Sequence, residues 1–340
     1  MIEKYYSGVI EQIYNRIGKE TRNIVMANYS NDFSIENLEV IRRYQSNEDN
    51  VFFAYSEFSY NTLVGAYEPF LDIICNMHRR FIGGSFDDFQ KECGVYYLHR
   101  QVLNSYYETG ECFREETVLL NEVAYEQRRM TMAIADMLKK LSEVKPLMIV
   151  INRFQMASKS SIETIKYLID NPCANIGIVL GVNAIVKGAD STVEVWDRIV
   201  ESLEDRSAIY YIGSAGPLKN NVKTTNDDEL YITMNFEQSI QEASNIMEFL
   251  DFEQARRGCR IIEHKLKFED AWIDEKSLRR FYMVYARTSV LLGEMSKAIE
   301  LTNEYKALIP ENDSEHYLSL YYFMKGTCYM YQGKLEKAGN

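Results

Sequence analysis

The sequence predicts an α/β domain built on a doubly wound parallel sheet, followed by an all-α domain of helical repeats. Two observations carry the first part and one carries the second. Leu147-Met148-Ile149-Val150-Ile151 and Ile176-Gly177-Ile178-Val179-Leu180 are apolar throughout rather than alternating, the pattern of parallel strands covered by helices on both faces. These runs alternate with amphipathic stretches in β-α-β-α order, which crossover connections wind into one sheet. Nearer the C-terminus, a short motif recurs at the interval of a two-helix repeat.

Helices are expected over Met1–Lys19, Ile35–Gln45, Tyr60–Phe81, Gly94–Tyr107, Glu116–Ser142 and Ser160–Asn171. Strands are expected over Asn23–Ala27, Val51–Phe58, Leu147–Asn152, Ile176–Val182 and Ala208–Ile212. This α/β domain is assigned to residues 1–215. The chain then turns polar through Ser214-Ala215-Gly216-Pro217, Lys219-Asn220-Asn221 and Asn226-Asp227-Asp228, so 216–236 reads as a linker ending in a strand-like piece, Leu230–Phe236. Residues 237–340 read as helix.

The repeat is seen by comparing Phe249-Leu250-Asp251-Phe252-Glu253-Gln254-Ala255 with Leu291-Leu292-Gly293-Glu294-Met295-Ser296-Lys297-Ala298 and Tyr331-Gln332-Gly333-Lys334-Leu335-Glu336-Lys337-Ala338. The alanines lie 43 and 40 positions apart. A small residue there lets two helices approach closely. The Leu-Gly-x-x-x-x-Ala pattern resembles a tetratricopeptide repeat of the longer type. Its best copy covers about Leu278 to Asp313, the first copy is degenerate, and the third reaches Asn340 as its second helix begins. Whether the natural protein continues there is left open by the sequence.

Composition narrows the function classes. The 340 residues are 46% hydrophobic and 26% charged, with 5 Pro and 17 Gly, an ordinary globular balance. A formal net charge of −12 argues against a large nucleic-acid surface, which needs clustered cations. No segment approaches the roughly 20 apolar residues of a membrane span, and Met1-Ile2-Glu3-Lys4-Tyr5-Tyr6 is unlike a signal peptide; a cytoplasmic protein is expected. The six cysteines, Cys75, Cys93, Cys112, Cys173, Cys259 and Cys328, show no CxxC pair and read as reduced thiols. Cys93 and His99 lack the second pair a zinc site needs. Neither metal nor cofactor is expected.

The most telling segment runs from Asn23 to Leu38: a short strand, the polar loop Tyr29-Ser30-Asn31-Asp32-Phe33-Ser34-Ile35-Glu36, and then a helix. A phosphate-binding loop sits in such a setting, but it needs glycines, a Lys and a Ser/Thr to surround phosphate and Mg²⁺. Here Asp32 and Glu36 would repel phosphate. Further on come Gly65-Ala66-Tyr67-Glu68-Pro69-Phe70, a long helix over Tyr125–Leu141, the strand approach Lys145–Ile151, then Asn152-Arg153-Phe154-Gln155-Met156-Ala157-Ser158. The helix from Ser160 and the strand Leu180-Gly181-Val182-Asn183 follow.

In this order the parts resemble the signal-transduction ATPases of the AAA-like, numerous-domain (STAND) class, especially LuxR-type bacterial regulators. In that group a P-loop NTPase module precedes helical repeats. The resemblance implies where nucleotide chemistry would sit and shows it altered. Walker A glycines fall on Tyr29, Asp32 and Ser34, the Lys on Ile35, and the hydroxyl residue on Glu36. Walker B acids fall on Asn152 and Arg153. A Mg²⁺–ATP site needs a carboxylate near the metal and the attacking water, so the resemblance implies a pseudo-ATPase without turnover.

For Asp32, Glu36, Asn152 and Arg153 two readings stand: a reorganised polar pocket with an ion pair such as Glu36–Arg153, or solvated residues at strand ends, the plainer expectation. Arg128 and Arg129 could meet an anion or lie on a helix surface. Tyr282, Tyr285, Tyr317, Tyr321 and Tyr322 could line a partner-binding face, with inter-helix packing as the plainer reading. Glu115-Glu116 reads as the acidic start of a helix rather than a catalytic dyad.

The expected function is a non-catalytic regulatory or scaffold protein. Its repeats would bind a protein partner or small effector, as the sensory part of a LuxR-like regulator whose DNA-binding domain lies downstream or has been lost. No direct nucleic-acid contact by this chain is expected. The alternative is an ATP-binding signalling switch with an atypical nucleotide site. A purely structural repeat protein, capped by its first domain, is a third possibility.

Overall fold

The structure, a computed structural model, describes residues 2–30, 38–46, 50–59, 63–114, 118, 121–183, 186–187, 193–213, 223–224, 235–268, 273–310 and 314–338. The chain folds into two compact units. The first comprises Met1–Tyr107 and Arg128–Asn226, and the second Glu108–Gln127 and Asp227–Asn340. Residues 108–127, which the sequence groups with the α/β part, thus belong to the helical unit.

The first unit is organised on a five-stranded parallel sheet of β1 (Ile24–Tyr29), β2 (Phe52–Glu57), β3 (Leu147–Asn152), β4 (Ile176–Asn183) and, at one edge, the strand Ile209–Ile212. Two short pieces, β5 (Val186–Lys187) and β7 (Lys223–Thr224), pair separately in parallel, so the edge strand is β6. The sheet order is β2-β3-β4-β1-β6. β3 and β4 are buried along their whole length, which is why they carry no polar alternation. The helices around the sheet are α1 (Ile2–Arg16), α2 (Glu39–Ser46), α3 (Phe70–Met77), α4 (Phe86–Glu92), α5 (Tyr97–Thr109), α6 (Val123–Val144), α7 (Lys159–Asp170) and α8 (Val193–Glu204); the boundary between the units falls within α5 and α6.

One face of the sheet closes under α1 and α2. Ile10 and Ile13 meet Val25, Ala27, Met148, Val150 and Val179 in one buried cluster with Ile41 and Phe53. At full burial each of the side chains larger than alanine stabilises the fold by about 1.5–3 kcal/mol. α1 fits close to β4 because Gly177 has no side chain: a Cβ there would lie 2.9 Å from the Ile17 methyl.

Several boundaries differ from expectation. The helix expected over Tyr60–Phe81 is Phe70–Met77 followed by a π turn at His78–Ile82, and residues 63–69 are non-helical. The helix expected from Glu116 starts at Val123; Glu115-Glu116 lie outside the described residues. α4 and α8 were not anticipated. α4 has a visible start signal, Ser85, whose hydroxyl accepts from the Asp88 N–H at 3.2 Å. In α8, Val195, Ile199 and Leu203 are buried at helical spacing. Most of the linker, including Leu230–Met234, falls outside the described residues. Asn235 caps a helix that Phe236 opens.

The second unit contains α9 (Phe236–Glu248), α10 (Phe252–Phe268), α11 (Glu275–Leu291), α12 (Met295–Ala307), α13 (Ser314–Tyr331) and α14 (Leu335–Ala338). Each helix packs on the next, and α9 and α13 both touch α11, so successive helix pairs stack. The three turns share one geometry. Phe249, Leu292 and Gln332 donate their N–H to the carbonyl four residues back, Leu250, Gly293 and Gly333 to the one three back, and Asp251, Glu294 and Lys334 to the one five back. This is the left-handed helix cap; φ is 68° at Leu250, 77° at Gly293 and 72° at Gly333. Ala255 and Ala298, at the repeated position, are fully buried. Among the described residues no helix is long and apolar enough to cross a membrane.

Candidate functional site

β1 and β3 both lie beside β4, so the strand ends matched to Walker A and Walker B are separated by the end of the strand matched to the sensor. Tyr29 is in register with Asn183, and Ile151 with Leu180. The chain leaves β1 for one side of the sheet and β4 for the other. Their boundary is therefore a switch point, where open α/β sheets place ligands at the carboxyl ends of strands.

Side chains fill this point. Tyr29 donates its hydroxyl to Asn152 Oδ1 at 2.6 Å, and both residues are fully buried. The Tyr6 ring, from α1, stands edge-on to Tyr29 with centroids 6.3 Å apart. Tyr6 can lie there because residue 181 is glycine: a Cβ would strike the Tyr6 hydroxyl and come within 2.8 Å of Asn152 Oδ1. Burial and the Glu57 carboxylate push the Tyr6 phenol far above its ordinary range, so it is neutral at any physiological pH.

Arg153 takes the left-handed conformation, φ 55° and ψ 39°, which costs a non-glycine residue on the order of 1 kcal/mol. Its guanidinium turns to Glu57, at the end of β2, with an N–O distance of 2.9 Å and both side chains more than four-fifths buried. It also donates to the Phe58 carbonyl at 3.3 Å. Two residues on, the Gln155 carboxamide accepts the Asn183 N–H at 3.2 Å. The segment after β3 is thereby fastened to the ends of both β2 and β4.

The structure thus brings Tyr29 and Asn152 together and turns Arg153 toward Glu57. Asp32, Ser34, Ile35 and Glu36 lie outside the described residues, as does any Glu36–Arg153 pair. The expectation of solvated residues is corrected for Asn152 and Arg153, because the strand ends lie beneath α1 and the segment 152–155 rather than in water. Chemically the cluster offers phenols, a carboxamide and an ion pair already compensated. Tyr29 bonds Asn152 and Arg153 pairs with Glu57, so among the described residues of the cluster the one carboxylate is already engaged rather than set to orient water.

No family model matches the chain, and no curated protein matches it. Tyr6, Glu57 and Gly181 were missed from sequence. Only Gly181 had a local signal, an isolated glycine in an apolar strand, which marks a close approach.

The segment Gly65–Phe70 docks on the start of α7: Tyr67 N–H donates to Ser160 Oγ at 3.0 Å, and Ser161 Oγ donates to the Glu68 carbonyl at 2.8 Å. Burial raises the Glu68 carboxyl, tempered by the Gly65 N–H that donates to it. Arg129 stacks over Tyr96 with its guanidinium 3.6 Å from the ring centroid, and Arg128 is exposed on α6. His99 is fully buried, and among the described residues no group of three His, Cys, Asp or Glu could hold a metal ion.

In the second unit the five tyrosines do not form one exposed stripe. Tyr285 and Tyr321 are each 2% exposed and fill the space between helices. Tyr282 and Tyr317 are half-buried, the latter beneath the Arg279 guanidinium at 5.1 Å. Tyr322 is 56% exposed, as is Phe323 beside it, leaving these two to face solvent.

Proposed function

We propose that the chain is a non-catalytic regulatory or scaffold protein, related in design to the STAND-type regulators, in which a P-loop-like module has lost nucleotide chemistry and tetratricopeptide-like repeats bind a partner or effector. One observation carries the reading. The residue at the Walker B position is a neutral, fully buried asparagine whose carboxamide oxygen is taken by the hydroxyl of the Walker A position, 2.6 Å away. A metal–triphosphate site needs charge and coordinating oxygen at that point, and Arg153 adds a cation, already paired with Glu57, beside it. The strand arrangement supports the module assignment, since the three matched strands are neighbours. The shared cap geometry of the three turns supports the repeats.

The test is a thermal-shift and calorimetric titration of the full chain with ATP, with and without Mg²⁺, beside a phosphate-release assay. No binding below millimolar and no turnover are expected. Micromolar binding would overturn the pseudo-ATPase reading in favour of an atypical switch.

A further inference from the structure

At the amino edge of the sheet, where β1 and β6 begin, a concavity of about 220 Å³ opens beside the ends of α1, α7 and α8. Three arginines line it, Arg16, Arg22 and Arg206, and among the described residues of its lining Glu20 is the one carboxylate. Leu168, Pro172 and Ala208 add an apolar wall. This local surplus of cations runs against a formal net charge of −12 for the chain.

Local structure sets the arginines there. After α8, Ser207 takes a left-handed φ of 52°, and the Ser207 and Ala208 N–H groups donate back to the Glu204 and Leu203 carbonyls at 2.9 Å. This cap turns the chain into β6 and leaves Arg206 at the corner. Arg206 spends one N–H on the Ile169 carbonyl, at 2.6 Å. Arg16 Nε lies 3.6 Å from the Glu20 carboxylate, beyond hydrogen-bond range. The Arg22 side chain has no hydrogen bond or ion pair among the described residues. The backbone acceptors that would repel an anion are largely taken: Asn23 Nδ2 donates to the Glu20 carbonyl at 2.6 Å and to the Ala174 carbonyl at 3.2 Å. Each guanidinium carries five N–H donors, so donors outnumber acceptors here. These donors are also reachable, since Arg22 is exposed, Arg206 is half-buried and the Arg16 side chain is 32% exposed.

We propose that this concavity binds a small organic phosphate monoester, with the phosphate among Arg16, Arg22 and Arg206 and the carbon body against Leu168 and Pro172. Phosphate suits the site because a guanidinium presents paired N–H groups that match its oxygens bidentately. A dianion also uses several guanidiniums at once, where a carboxylate is satisfied by one. The apolar wall gives the organic part its place, as in small-molecule sites that combine an apolar lining with a few charged groups. The site goes beyond the regulatory reading above. It lies at the opposite end of β1 from Tyr29, so ATP binding that survives Arg22→Gln belongs to the carboxyl edge and bears on the pseudo-ATPase reading alone.

The test titrates the full chain by calorimetry with phenyl phosphate, inorganic phosphate and phenol at low ionic strength, where screening is least. Phenyl phosphate is expected to bind with a dissociation constant below about 1 mM, inorganic phosphate more weakly, and phenol not at all. Arg22→Gln and Arg206→Gln are each expected to weaken phenyl phosphate roughly tenfold, the worth of one charge-assisted hydrogen bond. Arg198→Gln, on the exposed side of α8, removes the same charge away from the site and is expected to leave the affinity unchanged. If Arg206→Gln fails to fold, Arg22→Gln decides alone, with circular dichroism confirming its fold. No binding of phenyl phosphate, inorganic phosphate bound as tightly, undiminished binding by folded Arg22→Gln, or an equal loss in Arg198→Gln would overturn the proposal.

Discussion

The carboxyl edge of the sheet and the surroundings of Arg114 in the helical unit both bury polar side chains, and they pair them differently. At the sheet edge, Tyr29 and Asn152 satisfy each other, and Arg153 and Glu57 form a close pair. Around Arg114 a single carboxylate, Glu248, is divided between two arginines, and Nη1 has no partner among the described residues. Buried polar groups that satisfy each other hold a structure together. Those left under-satisfied cost stability. In the region matched to nucleotide chemistry the Tyr29–Asn152 and Arg153–Glu57 pairs have the first character, although Gln155 Nε2 makes no hydrogen bond among the described residues, and the surroundings of Arg114 have the second.

The largest expected effect tests how tightly the sheet edge is packed. Gly181→Ala places a methyl against Tyr6 and Asn152 Oδ1 and is expected to destabilise the chain by about 2–3 kcal/mol in urea denaturation, the usual cost of overpacking a core. A change under about 0.5 kcal/mol would mean that Tyr6 is free to move away, and the picture of a filled site would fail.

Tyr29→Phe removes only the hydroxyl that meets Asn152. It is expected to cost about 1–2 kcal/mol, from losing a buried hydrogen bond and stranding an acceptor. Asn152→Asp should be less stable at pH 7 than at pH 5, because burial raises the folded carboxyl above its unfolded value and that stability is lost as pH rises. An Asn152→Asp variant as stable at pH 7 as at pH 5 would point to an open, hydrated site.

The turns of the helical unit sharpen the contrast on a smaller scale. Gly293→Ala puts a side chain at φ 77° and is expected to cost about 1 kcal/mol. Leu250→Gly relieves a comparable strain but removes a buried side chain, since Leu250 is 2% exposed; a net loss of about 1 kcal/mol is expected. Stabilisation by Leu250→Gly would show that its side chain contributes little to the packing.

The smallest effect is ionic. Burial alone would raise Glu263, but hydrogen bonds and charge from Lys297 and Lys267 outweigh it and hold the carboxyl below its usual value. A depressed carboxyl stabilises above the unfolded value and loses that contribution as pH falls through the folded one. Glu263→Gln should therefore lose stability less steeply than the wild type between neutral pH and the acid range, as followed by circular dichroism. Equal slopes for the two proteins would show that the lysine contacts add nothing.

Much of this architecture was legible in the sequence. The ranges Leu147–Asn152 and Ile176–Val182 correspond to β3 and β4 because continuous apolarity is what burial on both faces demands. The repeat was visible because the Leu-Gly-x-x-x-x-Ala pattern encodes a left-handed cap and a close helix contact. The first copy was harder to read, since Leu250 fills the glycine position and retains it through burial of its side chain. The site was legible only in part. Asn152 and Tyr29 could be placed by analogy, but the Tyr29–Asn152 bond joins residues 123 positions apart, and no local pattern announces such a partner. The same holds for Tyr6, reached only once α1 lies across β4. Arg114 was invisible for another reason. Its significance lies in what it lacks, and hydrogen-bond satisfaction is a property of the fold.

Whether the carboxyl edge of the sheet is closed by Tyr29 and Asn152 satisfying one another is decided by a double-mutant cycle on Tyr29→Phe and Asn152→Ala, with stability measured by urea denaturation of the full chain. A coupling of about 1–2 kcal/mol is expected, the mark of two buried groups in direct contact. Additive effects, with a coupling within about 0.3 kcal/mol of zero, would refute the closed site.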